Sequence, residues 1–426
     1  MSMETTSPGQ PTNDRLALLY NLSQQLNSSL DLEEVLNKLM DEVITALHAE
    51  RGFIMLHGVD GKLEFRVARG LDQTDIEDPE FQISRSVVDK TAASGQPILT
   101  SDAQLDERFN MRQSIMAKGL RAILCVPIKI KEQQIGIIYV DNRLRAGIFT
   151  TEDLDLLNSI SASAAIAIEN ARLYKLAIEK SRMETEMQLA RNVQISLLPR
   201  EIPSIPGWQF GAHWQPARQV GGDYYDFIQH PDGRLGLVIA DVTDKGMPAA
   251  LFMASTKNIL RASIQACDSI AEGINRANTL IEHESNGQMF ISLVYACLDP
   301  ASGDLLYVNA GHNPPLQFHA GRGAYSILNR SGMWLGVDAA ATYTDESEKM
   351  EEGDLIILYT DGVSEAENPR GEPFGEEGLK SVISKHRGKT PHDLCKLVIQ
   401  AVQDFTGTSE LSDDITLVIV RREKNG

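Results

Sequence analysis

The sequence predicts a multidomain α+β protein in which an α/β domain, a long helical segment and a second domain of strands and helices follow one another. Three observations predict it. The 426 residues exceed what one hydrophobic core usually organises. Short β-rich runs recur in both halves of the chain, and between them the stretch from Glu152 into Ile195 keeps helical spacing with no Pro or Gly until Pro199.

Taken in order, Met1 to Asn13 is rich in Ser, Thr, Pro and Gly without a periodic apolar face, so it reads as a disordered leader, 1–13. From Arg15 to Leu30, Leu16, Leu19, Leu22 and Leu26 recur at helical spacing, and a second helix starts after Asp31, a plausible N-cap. Strands follow at Gly52–His57, Leu63–Ala68, Ala122–Ile128 and Ile135–Val140, with hairpin-turn chemistry at Gly58–Gly61. Ser86–Ala93 suits a short helix ended by Gly95.

Thr150 or Thr151 can cap the long helix. One apolar stripe steps through Leu157, Ile160, Ala164, Ala167, Ala171, Tyr174 and Ile178, and a displaced one through Met183, Met187, Ala190 and Leu197, so the phase slips near Lys180. Such a pattern fits a dimeric coiled coil with a stutter or two helices on different neighbours, and the dimer is favoured. The Pro203–Gly207 stretch breaks the helix. The expected organisation is therefore a first domain over 14–172, a helical coiled-coil linker over 173–204 and a second domain over 205–424.

The net charge of -19 repels nucleic acid and anionic membrane surfaces, so neither is expected as a partner. No apolar run approaches the ~20 residues that span a bilayer, and no signal peptide is evident. Cys125, Cys267, Cys297 and Cys395 are widely spaced with no zinc pattern. A cytoplasmic protein is the expectation.

In the second domain, acidic residues recur where strongly apolar runs begin or end. Asp223 lies in Val220–Asp226, Asp241 follows Leu235–Ala240, Asp361 follows Leu355–Thr360, and Asp413 precedes Ile415–Val420. Singly, such residues start turns or cap helices. Together, if the fold brings them to one place, each like-charged pair at ~4 Å costs about 4 kcal/mol at an effective dielectric near 20, and cations are needed. Oxygen-only ligation suits Mg²⁺ or Mn²⁺. Two such ions roughly 3.5–4 Å apart can share a bridging water and clamp a phosphoryl group in line with it, which is the chemistry of phosphate-monoester hydrolysis. Gly221, Gly222 and Gly362 permit the close backbone approach that a cluster requires, and suit plain turns equally.

These residues resemble a known family, the SpoIIE-like branch of the PPM metal-dependent Ser/Thr phosphatases. The shared motifs stand in order as Val220-Gly-Gly-Asp-Tyr-Tyr-Asp226, Asp241-Val-Thr-Asp-Lys-Gly246 with Pro248-Ala-Ala-Leu251, Asn309-Ala-Gly-His-Asn-Pro-Pro315, Tyr359-Thr-Asp-Gly-Val-Ser-Glu365 and Asp413-Asp-Ile-Thr416. The resemblance spans about Trp208 to Arg422 and implies a PPM-type αββα sandwich. By position it implies that Asp223 and Asp241 are catalytic and hold a pair of divalent cations, Mn²⁺ or Mg²⁺. Val242 would add a backbone carbonyl, and Asp361 and Asp413 would complete one ion's shell. Adjacent side chains diverge on extended backbone, so Asp413 is preferred to Asp414. Asp244 departs from the small residue usual before the Lys-Gly pair. His312 reads as a turn residue rather than a general acid, and Lys245 as a solvated lysine outside the site.

The first domain resembles the GAF sensory domains, through its strand set and Phe149-Thr-Thr-Glu-Asp-Leu-Asp-Leu-Leu157. Asn142, Arg143, Phe149 and Asp153 partly match a cyclic-nucleotide GAF signature, with Arg143 and Leu154 as departures, so the GAF ligand is left unknown. The leading expectation is a GAF-regulated protein serine/threonine phosphatase, a homodimer through its linker. By the resemblance it acts on a phosphorylated partner-switching protein of the anti-sigma-factor antagonist type. The rival is a non-catalytic signalling adaptor that binds a phosphoprotein.

Overall fold

In the computed structural model, residues 31–424 are described, apart from 59, 80–81, 104–105, 107–118, 286–287 and 408–410. The expected leader and the helix from Arg15 to Leu30 lie outside the described residues. The chain divides into two compact units, Met1–Arg182 and Met183–Gly426.

In the first unit, Asp31 caps α1 (Leu32–Leu47), accepting from the amides of Glu33 and Glu34. An antiparallel sheet follows, of β1 (Arg51–His57), β2 (Leu63–Gly70), β3 (Ile98–Thr100), β4 (Ala122–Ile130) and β5 (Gln133–Asn142), in the order β2-β1-β5-β4-β3. The expected strands are all present and somewhat longer; β3, a three-residue edge strand, carried too short a signal to be read. The short helix is α2 (Arg85–Ser94), ended by Gly95 in the left-handed region at φ 59. One face of the sheet buries Ile54, Leu124, Val126 and Ile138 against Leu36, Met40 and Ile44 of α1 and Leu157, Ile160 and Ala164 of the long helix.

That helix, α3, runs unbroken over Thr151–Leu197. Thr150 and Asp153 form a reciprocal cap at its start: the Asp153 carboxylate accepts from the Thr150 amide at 3.0 Å, and the Thr150 hydroxyl accepts from the Asp153 amide at 3.3 Å. The expected stripe is buried through Ala171, but Tyr174, Ile178 and Met183 are 46%, 51% and 64% exposed. Among the described residues, none covers this length of apolar stripe.

The second unit is a sandwich of two five-stranded sheets. One contains β7 (Tyr224–Gln229), β8 (Leu235–Val242), β9 (Ile291–Leu298), β10 (Asp304–Ala310) and β13 (Glu346–Lys349), in the order β13-β10-β9-β8-β7. The other contains β6 (Trp208–Gln215), β11 (Leu316–His319), β12 (Ala324–Ile327), β14 (Leu355–Tyr359) and β15 (Ile415–Arg422), in the order β12-β11-β14-β15-β6. Period-two alternation explains the layers. Leu237 and Ile239 of β8 meet Ile356 and Leu358 of β14 and Val418 and Val420 of β15 between the sheets. The opposite face of the first sheet, with Val238, Ala240 and Tyr295, packs on α4 (Met247–Gln265) and α5 (Ile270–Ser285). A single helical turn, α6 (Asp361–Ser364), follows β14, and Ile357, Leu417 and Ile419 pack on α7 (Gly375–His386) and α8 (Pro391–Thr406). The expected αββα layering is what these contacts build. Among the described residues no helix is long and apolar enough to cross a membrane.

Candidate active site

Four strand ends supply the acidic residues. Asp223 immediately precedes β7, Asp241 lies near the end of the antiparallel neighbour β8, Asp361 follows β14 across Thr360, and Asp413 and Asp414 precede β15. Gly222 and Gly362 let these loops touch: a Cβ on Gly222 would stand 2.8 Å from the Val242 carbonyl oxygen, and one on Gly362 would collide with the Asp414 backbone.

Asp223 is buried, and its Oδ2 accepts from two hydroxyls of the other sheet, Thr360 Oγ1 and Thr416 Oγ1, each at 2.7 Å. Thr360 Oγ1 in turn accepts from the Thr416 amide at 2.9 Å. The hydroxyls clamp one carboxylate across the sandwich. Asp414 is committed to backbone: Oδ1 accepts from Ala217 N at 2.8 Å, and Oδ2 from Gly222 N at 2.7 Å and Asp223 N at 3.4 Å. It holds the loop that carries Asp223. Asp413 diverges from it, as adjacent extended residues should, and its Oδ2 takes Lys245 Nζ at 2.8 Å.

The electrostatics record the crowding. Burial pushes the Asp241 pKa up to about 7, with the Asp361 carboxylate adding to the rise, while hydrogen-bonding to Asp223 opposes it. Burial likewise raises Asp361 to about 6, with Asp413 contributing. Asp223 is raised well above the carboxylate range by burial, then by Asp241 and Asp414. Each direction means the negative form is under-compensated by protein groups alone.

The structure thus puts Asp241, beside the Val242 carbonyl, in electrostatic contact with Asp223, Asp361 and Asp413, and Asp361 in contact with Asp413. Among the described residues no three or more Asp, Glu, His or Cys side chains stand close enough together to hold a metal ion as placed. An all-oxygen, under-neutralised donor set fits hard divalent cations.

Lys245 is exposed, as read, but it is not free. Besides Asp413 it donates to the Ser412 carbonyl at 2.9 Å, and the Asp413 carboxylate raises its pKa. Asp244, the departure from a small residue, stands at φ 78, a left-handed conformation that glycine adopts freely and aspartate tolerates. His312 is a buried turn residue as expected: its Nδ1 lies 2.7 Å from Ser292 Oγ, and burial pushes its pKa down to about 3. It is a neutral brace, not a proton donor.

The sequence reading missed Thr360, Thr416 and Gln194. The two threonines stand inside quoted motifs, directly beside an aspartate and two residues after one. Gln194 of α3 is buried, its Nε2 donating to the Gly221 carbonyl at 2.6 Å and its Oε1 accepting from the Gly221 amide at 3.1 Å. Nothing in a polar helix marked it.

In the first unit, the residues of the cyclic-nucleotide signature have structural work. Asn142 Oδ1 accepts from Leu144 and Arg145 amides, Arg143 pairs with Glu50 at 2.6 Å, Phe149 is core and Asp153 caps α3. A surface pocket of about 460 Å³ has Glu50, Arg51, Gln82 and Arg143 in its lining. These already bond to one another or to the buried Asp141.

The family model described as "Stage II sporulation protein E (SpoIIE)" matches residues 231–423, and the model described as "GAF domain" matches residues 31–168. The chain joins a GAF domain to a SpoIIE-family phosphatase domain. The SpoIIE-family domain is a protein serine/threonine phosphatase of the PPM type, a metal-dependent class. The matched span takes in Asp241, Asp361 and Asp413 and begins after Asp223. The chain is 29% identical over 248 residues to "Phosphoserine phosphatase RsbU" of Bacillus subtilis, covering 57% of this chain and 72% of that protein. It is 28% identical over 264 residues to "Protein IcfG" of Synechocystis sp., covering 56% of this chain and 41% of that protein. It is also similar to the solved SiaA-PP2C domain of Pseudomonas aeruginosa, with a TM-score of 0.51 at 18% identity over 57% of this chain and 98% of that one, a likeness of fold.

Proposed function

We propose that the SpoIIE-family domain binds two divalent cations, Mn²⁺ or Mg²⁺, through Asp223, Asp241, the Val242 carbonyl, Asp361 and Asp413, and with them dephosphorylates a phosphoserine or phosphothreonine protein. The observation that carries this reading is the meeting of four strand-end carboxylates in one under-neutralised, partly buried cluster. When bound, such a cation pair supplies an acidified water and neutralises phosphoryl charge. The chain's own residues supply position. Thr360 and Thr416 fix Asp223, Asp414 fixes the loop before it, and the Ser292–His312 pair braces β9 where it runs beside Asp241.

The likeness to RsbU, itself named a phosphoserine phosphatase, supports a partner-switching substrate of the anti-sigma-factor antagonist type. The setting is cytoplasmic. Regulation by the GAF domain runs through α3, whose exposed stripe at Tyr174, Ile178 and Met183 suits a homodimeric coiled coil, with boundaries near 172 and 205. Gln194 supports this coupling, because it ties the same helix to the loop two residues before Asp223.

Hydrolysis of p-nitrophenyl phosphate and of a phosphoserine protein tests the reading. Activity should need Mn²⁺ or Mg²⁺, vanish with chelator and vanish in Asp241→Ala. Metal-independent turnover would refute it, and a well-folded, metal-loaded chain that binds the phosphoprotein without turnover would establish the adaptor instead.

A further inference from the structure

At the far end of the second sheet from the aspartates lies a cavity of about 410 Å³ lined by Arg387, Arg421, Arg422 and Lys424 over an apolar floor that includes Phe318 and Leu355. The strands β14 and β15 run from one site to the other: Asp361 and Asp413 sit at their acidic ends, Leu355 and Arg421 at the basic end. At ~3.3 Å per residue, the eight residues from Asp413 to Arg421 place the cavity roughly 26 Å from the cluster. A phosphoryl group bound at one site does not reach the other.

The charge pattern is out of keeping with the chain. With a net charge of -19, carboxylates are plentiful, and Arg51 and Arg261 each pair with one and Arg69 with two. Among the described residues, no ion pair joins Arg387, Arg421, Arg422 or Lys424 to a carboxylate. Two neighbouring acids have other hydrogen-bond partners: Asp354 accepts from Ala320 N at 2.8 Å and Glu351 N at 3.0 Å, and Glu423, whose charge reaches Arg421 without an ion pair, accepts from Gln209 Nε2 at 2.7 Å. Arg421 is half-buried, donates to the Arg387 carbonyl at 2.6 Å, and is pushed by burial below its ordinary pKa. Arg422 is held by the Met350 and Ser302 carbonyls at 2.7 and 3.0 Å and lies over the Trp208 ring. Arg421 is thus fixed in place with donors to spare, and Arg387 and Lys424 are exposed at the rim, while the Arg422 guanidinium lies on the other face of β15 and its backbone meets the cavity at Gly353.

Holding like charges together around a concave surface costs free energy that a polyanion would recover. The volume falls within the roughly 300–1,000 Å³ of small-molecule sites. Arginine forks match phosphoryl oxygens in pairs. We propose that this pocket is a second anion site that binds a small molecule carrying two or more phosphoryl charges, recognised through those charges. The inference is independent of the metal reading.

The test is calorimetric titration of the full chain, in chelator, with pyrophosphate and with ATP as probes. Arg387→Ala/Lys424→Ala removes two rim cations that carry no core packing, and should weaken binding at least about tenfold, the order expected for losing charge-assisted hydrogen bonds. Lys385→Ala/Lys389→Ala removes the same charge just outside the lining, and should weaken it less than about threefold. Pyrophosphate binding as tightly as ATP would assign recognition to phosphoryl groups alone, and tighter ATP would add the apolar floor; both support the site. No binding of either probe by the parent, or equal loss in the two double variants, would overturn it.

Discussion

Replacing Thr416 by valine keeps shape and volume while removing one of the two hydroxyls that hold Asp223. The lost bond is short, 2.7 Å, and wholly buried, and its acceptor is a carboxylate. A hydrogen bond to a charged group contributes about 1.5–3 kcal/mol. For a unit spanning Met183–Gly426, that corresponds to a fall in melting temperature of roughly 3–10 °C. The effect on metal binding should be larger in proportion, because a partner that orients a ligand typically accounts for about 10–100-fold in affinity. Thr360→Val should cost more than Thr416→Val, since Thr360 Oγ1 also accepts from the Thr416 amide, which the change would strand. The assays are thermal melting at pH 8 and calorimetric titration with Mn²⁺. If Thr416→Val matches the parent in both melting and Mn²⁺ affinity, the cross-sheet clamp does not position Asp223 and the reasoning fails.

Gln194→Ala leaves the Gly221 amide and carbonyl buried without their partner, and should cost about 1–3 kcal/mol in thermal unfolding and weaken Mn²⁺ binding measurably. In metal-free protein, burial holds the Asp241 pKa at about 7 against an ordinary 3.8 in the unfolded chain, so the folded state carries a proton that the unfolded state lacks between those values. Stability from this group therefore rises as pH falls from about 7 towards 3.8, and Asp241→Asn should be more stable than the parent at pH 8, by a few kcal/mol at most, with the gap narrowing below pH 7 and closing only near pH 4. Excess Mn²⁺ should reverse the order at pH 8; melting curves with and without metal decide it. Lengthening α3 near Lys180 by one, two or four residues should change phosphatase activity, and equal activity in all insertions would make the helix a tether.

Some of this was legible because short-range patterns report it. Asp241 and Asp361 end apolar strand runs, Gly362 follows one of them, and the alternation of inward and outward residues in β8, β14 and β15 gives the layers. That the Asp413 and Asp414 side chains diverge also followed from local geometry, and they do take different partners. What could not be read depends on long-range register. Thr416 meets Asp223 across 193 residues, and Lys245 meets Asp413 across 168. A lysine at a helix entrance is ordinarily solvated, so only the pairing of sheet ends reveals its carboxylate. Gln194 looks like any polar residue of α3 until the loop at Gly221 folds against it. The stripe beyond Ala171 was read correctly as apolar, but periodicity does not say what covers it.

Diffraction from crystals of the full chain soaked in Mn²⁺, recorded for the anomalous signal of manganese, tests the central claim most directly. Two peaks lying among the carboxylates of Asp223, Asp241, Asp361 and Asp413 and the Val242 carbonyl are the predicted result. A well-ordered map in which those carboxylates hold no manganese, or in which manganese sits only at unrelated surface acids, would contradict the account.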